Sequence, residues 1–297
     1  MAITDEVRIR FDHVSMAVNS IDRAMAFFKR YFPTYPRNEK QPTAQASGGF
    51  VWQDFYLGGS ALEFIEELPG QQGFVAQFIK RHGEGMHHIS FEVDRLDPVI
   101  AALKSGGVRV VDEYATEDGS KTAFISPRAA FGALIQFWQP LDYDHPTPAP
   151  PDDGLARFDH VAMAVRDIRA AMNFFCRYFG AQIVNEPIPS SSQGNFILAH
   201  IDIGGFKMEF LQSPGAGTPD DFVGDFIDKH GEGLHHFTLD VKDFEGIQSR
   251  LVGDGVRVVG KEINWRGERQ FFISPKSSFG TLIQVWEGLG GPGRGDE

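Results

Sequence analysis

Over its 297 residues the chain repeats itself, and this limits its folding more than any other feature. RFDHVSMAV at 10–18 returns as RFDHVAMAV at 157–165, and HGEGMHHISFEV at 82–93 returns as HGEGLHHFTLDV at 230–241. GVRVV at 107–111 recurs at 255–259, and FISPRAAFGALIQFW at 124–138 recurs as FISPKSSFGTLIQVW at 272–286. The order is the same in both copies, with an offset of 147 or 148 residues. That period is too long for a solenoid repeat and has the size of a globular domain, so the chain reads as a tandem of two copies of one domain. The copies are separated by QPLDYDHPTPAPPDDG, whose five prolines and four aspartates suit an extended, solvated connection. The predicted boundaries are 1–142 for the first domain, 143–154 for a Pro/Asp-rich linker, 155–289 for the second domain and 290–297 for a glycine-rich flexible tail.

Composition excludes several classes. Hydrophobic residues at 42% and charged residues at 23% describe a globular chain with a substantial core. A net charge of -12 argues against nucleic acid or anionic lipid as general partners, because both need basic surface. Cys176 is the single cysteine, so no intrachain disulfide can form and a cytoplasmic location is expected. It lies in the helical stretch FFCRYF, where a buried inert thiol is the expectation, and no role is assigned to it. No run of about 18 apolar residues occurs and the first residues lack the basic-then-apolar pattern of an export signal, so no membrane partner is expected.

Each copy mixes strands and helices. RIRFDHVSMAV alternates as a strand, and Ser20-Ile21-Asp22 opens a helix running through Phe32. FVWQDFYLGG and SALEFIEEL read as two strands joined at Gly58-Gly59-Ser60, followed by a helix at about 73–82. MHHISFEV is a strand, LDPVIAALKSGG a helix ended by glycine, and VRVVDEY, KTAFISP and GALIQFWQP three more strands. The predicted class is α+β, with two βαβββ modules per domain.

Polar residues within apolar strands carry the functional signal. In the first copy these are His13, Glu63, His88 and Gln136; in the second they are His160, Glu209, His236 and Gln284. Alone, a strand histidine is more often hydrogen-bonded core than ligand, and Glu63 alone could point outward. Together, and twice over, two imidazoles, a carboxylate and an amide oxygen meet the needs of a divalent cation, with one or two positions left for substrate. A carboxylate buried without such a partner would cost several kcal/mol, on the order of a whole domain's margin of stability. His87 and His235 are adjacent to proposed ligands and should face the other side of the sheet. His82 and His230 read as exposed helix ends, and His145 as part of the linker.

In order along each copy, DHVxxAV, GEGxHHxxxxV and FxxPxxxxGxLIxxW resemble the vicinal oxygen chelate superfamily, which includes glyoxalases, extradiol dioxygenases, and fosfomycin and bleomycin resistance proteins. The pattern is most similar to the methylmalonyl-CoA epimerases, through His87-His88 and the strand from Leu57 to Ile65. The resemblance implies two tandem domains, each a curved mixed sheet around a metal cleft, with metal ligands at the eight positions named above. It also shows a departure: the epimerases carry glutamine at the position of Glu63 and glutamate at that of Gln136, so here amide and carboxylate have exchanged places.

The implied activity is that of a metal-dependent isomerase or epimerase that abstracts a proton next to a carbonyl of a small keto acid or acyl thioester. A non-haem Fe(II) dioxygenase is the alternative, and a small-molecule sequestering protein the third reading. The proton needs a base, for which Glu63, Glu209, His200 and Asp54 are candidates, His200 standing where the first copy has Asp54. Lys121, Arg266 and Arg269 could neutralise an anionic substrate or simply charge a strand edge. The metal is Fe, Co, Mn, Ni or Zn on ligand chemistry. Single-domain members of the family pair through edge strands, so this chain either satisfies that pairing internally or forms a homodimer.

Overall fold

A computed structural model describes residues 7–43, 49–116, 119–146, 153–190, 196–263 and 268–289. The first half runs β1 (Ile9–Ala17), α1 (Ile21–Tyr31), β2 (Thr34–Pro36), β3 (Gln41–Thr43), β4 (Phe50–Leu57), β5 (Ser60–Glu67), α2 (Phe74–His82), β6 (Gly85–Val93), α3 (Leu96–Ser105), β7 (Val110–Ala115), β8 (Lys121–Ile125) and β9 (Leu134–Gln139). The second half follows with β10 (Ala156–Ala164), α4 (Ile168–Phe179), β11 (Gln182–Pro189), β12 (Ile197–Ile203), β13 (Phe206–Gln212), α5 (Phe222–His230), β14 (Gly233–Val241), α6 (Phe244–Gly253), β15 (Val258–Ile263), β16 (Arg269–Ile273) and β17 (Leu282–Trp286).

Each half builds one mixed sheet. The first has the order β2-β4-β5-β1-β6-β9-β8-β7, with the short β3 added to β4, and the second has β11-β12-β13-β10-β14-β17-β16-β15. The strands carrying the polar residues, β1, β5, β6 and β9 and their counterparts, are central, and β1 with β5 and β6 with β9 run parallel. Central parallel strands are covered on both faces, which is why these segments are nearly continuous in apolar residues.

Helix α1 starts where Ser20 accepts a hydrogen bond from the Arg23 amide, and α4 where Asp167 does the same for Ala170. Ile21, Ala24, Met25, Phe28 and Tyr31 line the buried side of α1. Phe28 meets Phe55 and Phe64 at 5.6 Å between ring centroids, closing a fully buried aromatic layer. Truncating such a ring costs about 3–5 kcal/mol. On the other face of β5, α2 covers Ala17 and Ile65 with Val75, Phe74 and Phe78. Among the described residues no helix is long and apolar enough to cross a membrane.

Two short strands, β2 and β3, escape sequence reading because three residues each, with Pro36 and Pro42 inside them, give no alternation to see. A second difference concerns compactness. The chain divides into two compact units, one of Met1–Asp12, His88–Thr147 and His160–His235, the other of His13–His87, Pro148–Asp159 and His236–Glu297. Each unit therefore combines one module from the first half with one from the second. In the former, Phe179 packs on Phe91 and Phe137, and Phe11 stacks on Phe206 at 3.5 Å. In the latter, Phe158 stacks on Phe237, while Arg30 and Tyr31 both bind the Asp254 carboxylate.

Candidate metal centres

The ligand geometry follows from strand register. On β1 and β5 Ser15 stands opposite Glu63, so Glu63 shares a face with His13 one step along the strand. On β6 and β9 Ser90 stands opposite Gln136, which repeats the arrangement for His88. Each βαβββ module thus supplies one histidine from its first strand and one oxygen from its last. The second half has the same registers, Ala162 with Glu209 and Thr238 with Gln284.

The side chains converge. His13, Glu63 and His88 offer ligand atoms that lie within 4.8 Å of one another, as do His160, Glu209 and His236, all three of the latter buried. His13 Nε2 stands 3.6 Å from Glu63 Oε2, and His160 Nε2 is 3.6 Å from Glu209 Oε2. Ligands about 2.1 Å from a common ion and roughly a right angle to a tetrahedral angle apart are separated by about 3.0–3.4 Å, so these pairs are set nearly as neighbours around a cation. The amides complete the sets, with Gln136 Oε1 at 3.1 Å from His88 Nε2 and Gln284 Oε1 at 3.2 Å from His236 Nε2. Two imidazoles, one carboxylate and one amide oxygen, largely buried, fit a divalent metal.

Each amide is aimed from behind. Gln136 Nε2 donates to Thr122 Oγ1, whose own proton goes to the Phe137 carbonyl, leaving Oε1 to face His88. Gln284 Nε2 donates to Gln270 Oε1 at 2.9 Å, and its Oε1 accepts from Thr238 Oγ1 at 2.6 Å. Such outer contacts fix a ligand's orientation and raise affinity. In the first half Ser90 replaces Thr238, and its buried hydroxyl has no hydrogen-bond partner among the described residues.

The flanking strand separates the two centres chemically. Asp54 is the cross-strand neighbour of Glu63; it is buried, donates its amide N–H to Asn38 Oδ1 and has Arg37 Nη1 3.6 Å from its carboxylate. At the same place in the second half His200 stands opposite Glu209, its Nε2 3.3 Å from Glu209 Oε1 and its Nδ1 2.7 Å from Asn185 Oδ1. An asparagine oxygen can only accept, so Nδ1 carries a proton and donates it. Burial alone would raise the Glu209 carboxyl, but His160 and His200 hold it well below the ordinary glutamate range.

The remaining residues singled out by the sequence have partners of their own where they are described. His87 lies against Phe74 and Phe78, and His235 against Phe222 and Phe226; burial pushes each imidazole down to about 4, so both are neutral at pH 7. His82 and His230 end their helices in contact with Phe78 and Phe226, and His145 binds Asp142 at the surface. Lys121 bridges Asp97, and Arg269 bridges Glu245 and Glu287, all with exposed side chains except Glu287. Arg266 lies outside the described residues. Cys176 is half-buried, which raises its thiol. Sequence reading missed Arg37, Asn185, Thr122, Thr238 and Gln270. Only Thr238, two residues after His236 on an apolar strand, left a signal there.

The model of the Glyoxalase/Bleomycin resistance protein/Dioxygenase superfamily matches residues 12–124 and again 159–272. The chain is 30% identical over 135 residues to the ethylmalonyl-CoA/methylmalonyl-CoA epimerase of Cereibacter sphaeroides, a match covering 44% of this chain and 97% of that protein. In structure it is similar to a mutant 4-hydroxymandelate synthase from Streptomyces coelicolor, with a TM-score of 0.64 and 16% identity over 97% of this chain and 95% of the other. A Mn(II)-bound glyoxalase from Novosphingobium aromaticivorans aligns with a TM-score of 0.57 and 14% identity, over 94% of this chain and 82% of that one. The synthase and glyoxalase likenesses speak for the fold, the two family matches for descent, and with both halves matched the chain belongs to the glyoxalase/bleomycin resistance protein/dioxygenase superfamily.

Proposed function

We propose that the chain is a divalent-metal-dependent isomerase or epimerase with one centre per half, acting on a small keto acid or acyl thioester by moving a proton next to the carbonyl. The observation that carries this reading is the duplicated donor set with an acid–base group beside its carboxylate: Asp54 next to Glu63, His200 next to Glu209. The epimerase among its relatives supports the same class. His13, Glu63, His88 and Gln136, or their counterparts, would hold a divalent ion, which when bound would supply an electrophile for a carbonyl oxygen and so make the adjoining C–H more acidic.

The protein's own residues then have distinct tasks. Thr122, Thr238 and Gln270 hold the glutamine oxygens towards the ligand histidines. Phe74, Phe78 and the neutral His87, like Phe222, Phe226 and His235, pack an apolar cluster beside the ligand strands. Asp54 in one half and His200 in the other would take the proton and return it, while the C–H electron pair moves towards the carbonyl oxygen.

The test is solvent exchange. With methylmalonyl-CoA in D2O, the metal-loaded chain should place deuterium α to the carbonyl without oxygen, and chelation should abolish this. A metal-loaded chain that exchanges nothing while consuming oxygen with ferrous iron and a keto acid would establish dioxygenase chemistry in its place. Metal analysis should give two ions per chain, falling to one in either His13→Ala or His160→Ala.

A further inference from the structure

The segment before β9 and β17 is a turn with an unusual backbone. Pro127–Ala129 and Pro275–Ser277 each form one tight helical turn, closed when the Gly132 amide donates to the Pro127 carbonyl at 2.8 Å and the Gly280 amide to Pro275 at 2.9 Å. Phe131 and Phe279 both sit at φ 52°, a left-handed conformation that is costly for a bulky side chain and persists only where surroundings enforce it. Phe131 is seated edge-on against Phe174 of α4, and Phe279 against Phe27 of α1, both at 5.7 Å.

What the turn accomplishes is a backbone contact with the other half. Gly132 lies so close to the Glu232 carbonyl that a Cβ would collide with it, and Gly280 lies the same way against the Glu84 carbonyl. Glu84 and Glu232 are clasps in their own right. The Glu84 carboxylate accepts the Asn19 amide at 2.7 Å, tying the end of β1 to the start of β6, and Glu232 accepts Arg166 at 2.7 Å, tying β10 to β14. His88 follows Glu84 by four residues and His236 follows Glu232 by four, just as Gln136 follows Gly132 and Gln284 follows Gly280. Each contact therefore joins the strand that bears one centre's amide to the strand that bears the other centre's histidine.

We propose that Gly132 and Gly280 are positioning residues acting crosswise: Gly132, in the first half, sets His236 of the second centre, and Gly280, in the second half, sets His88 of the first. The proposal rests on the metal reading above. Phe131 and Phe279 hold each turn down, and the unfavourable φ is the conformation that lets the following glycine reach the opposing carbonyl.

Co(II) titration by visible absorption tests it in chains reduced to one centre. In His13→Ala, which reports the second centre, Gly132→Ala should weaken cobalt affinity at least tenfold and Gly280→Ala less than threefold; in His160→Ala the order should reverse. Equal losses, or a larger loss in the half that carries the substitution, would overturn the proposal. Gly107→Ala is the control, because Gly107 has φ 76° with nothing within 4 Å of its would-be Cβ. It adds backbone strain without a collision, and a cobalt loss equal to that of Gly132→Ala would also overturn the proposal. Should the glycine variants not fold, Phe174→Ala and Phe27→Ala remove the ring seats, together with those rings' contacts to their own helices, and should give the same crossed pattern, smaller in size; an uncrossed one overturns it. A wild-type chain that takes up no cobalt refutes the metal reading by itself. Amide hydrogen exchange then decides the proposal: in Gly132→Ala, residues 233–236 should exchange at least tenfold faster while 85–88 keep their rate, and unchanged exchange at 233–236 would refute it.

Discussion

The two candidate centres share a donor set and differ in the group that flanks the carboxylate and in those that back the amide. In the first, the carboxylate ligand has a second carboxylate, Asp54, as cross-strand neighbour, with Arg37 beside it. In the second, His200 takes that place, leaning on Glu209 and held by Asn185. Behind the amide, Thr122 serves the first centre, whereas Gln270 and Thr238 serve the second. Both halves keep the same four donors, while the neighbour of the carboxylate on the flanking strand is an acid in one half and an imidazole in the other.

Removing a charged ligand should have the largest effect. Glu63→Gln and Glu209→Gln should each cost their own half's metal by about a hundredfold or more in affinity, leaving one ion per chain by elemental analysis; two retained ions would show that the carboxylates are not ligands. Next come the proton-transfer groups. Asp54→Asn in a His160→Ala chain and His200→Asn in a His13→Ala chain should each lower α-deuterium exchange by roughly 10²–10⁴ with metal content unchanged. An effect in only one of the two would assign the activity to that half.

Smaller effects separate the amide supports. Thr238→Val should weaken cobalt binding at the second centre by about tenfold, while Ser90→Ala, whose hydroxyl does not bind Gln136, should change the first by less than twofold. Equal effects would erase the distinction drawn here. The smallest difference lies between the compact units. Asp254, beside Arg30 and Tyr31, has its carboxyl lowered to about 2, whereas Gly106 occupies the corresponding place against Tyr178. A lowered native value means that Asp254 stabilises the fold above the ordinary aspartate range and loses that contribution as the pH falls through about 2. Asp254→Asn should therefore lower the urea midpoint slightly at pH 7, an effect that fades only as the pH falls below about 2.

Much of this was readable from residues alone. The RFDH and GEGxHH repeats give two domains, and the joint recurrence of His, Glu, His and Gln on apolar strands, rather than any one of them, picks out the candidate donor sets. What stayed hidden depends on which segments meet in space. Asp54 and His200 could be named from the sequence, but their partners Arg37 and Asn185 come from stretches with no alternation, one of them beside the three-residue β2. Lys121 and Arg269 carry the expectation of an anionic substrate, and each has its own surface carboxylate within reach, a pairing that spacing does not reveal. The composition of the compact units is equally invisible, because residues such as Phe27 and Phe279 lie more than two hundred positions apart.

That composition bears on how the chain can be divided. Since each unit holds residues from both halves, a break in the connection between Tyr143 and Asp153 separates no unit from the other. Two fragments made by such a cut, or produced from separate genes, would each lack half of both units' interiors and would have to find one another before either could fold to completion.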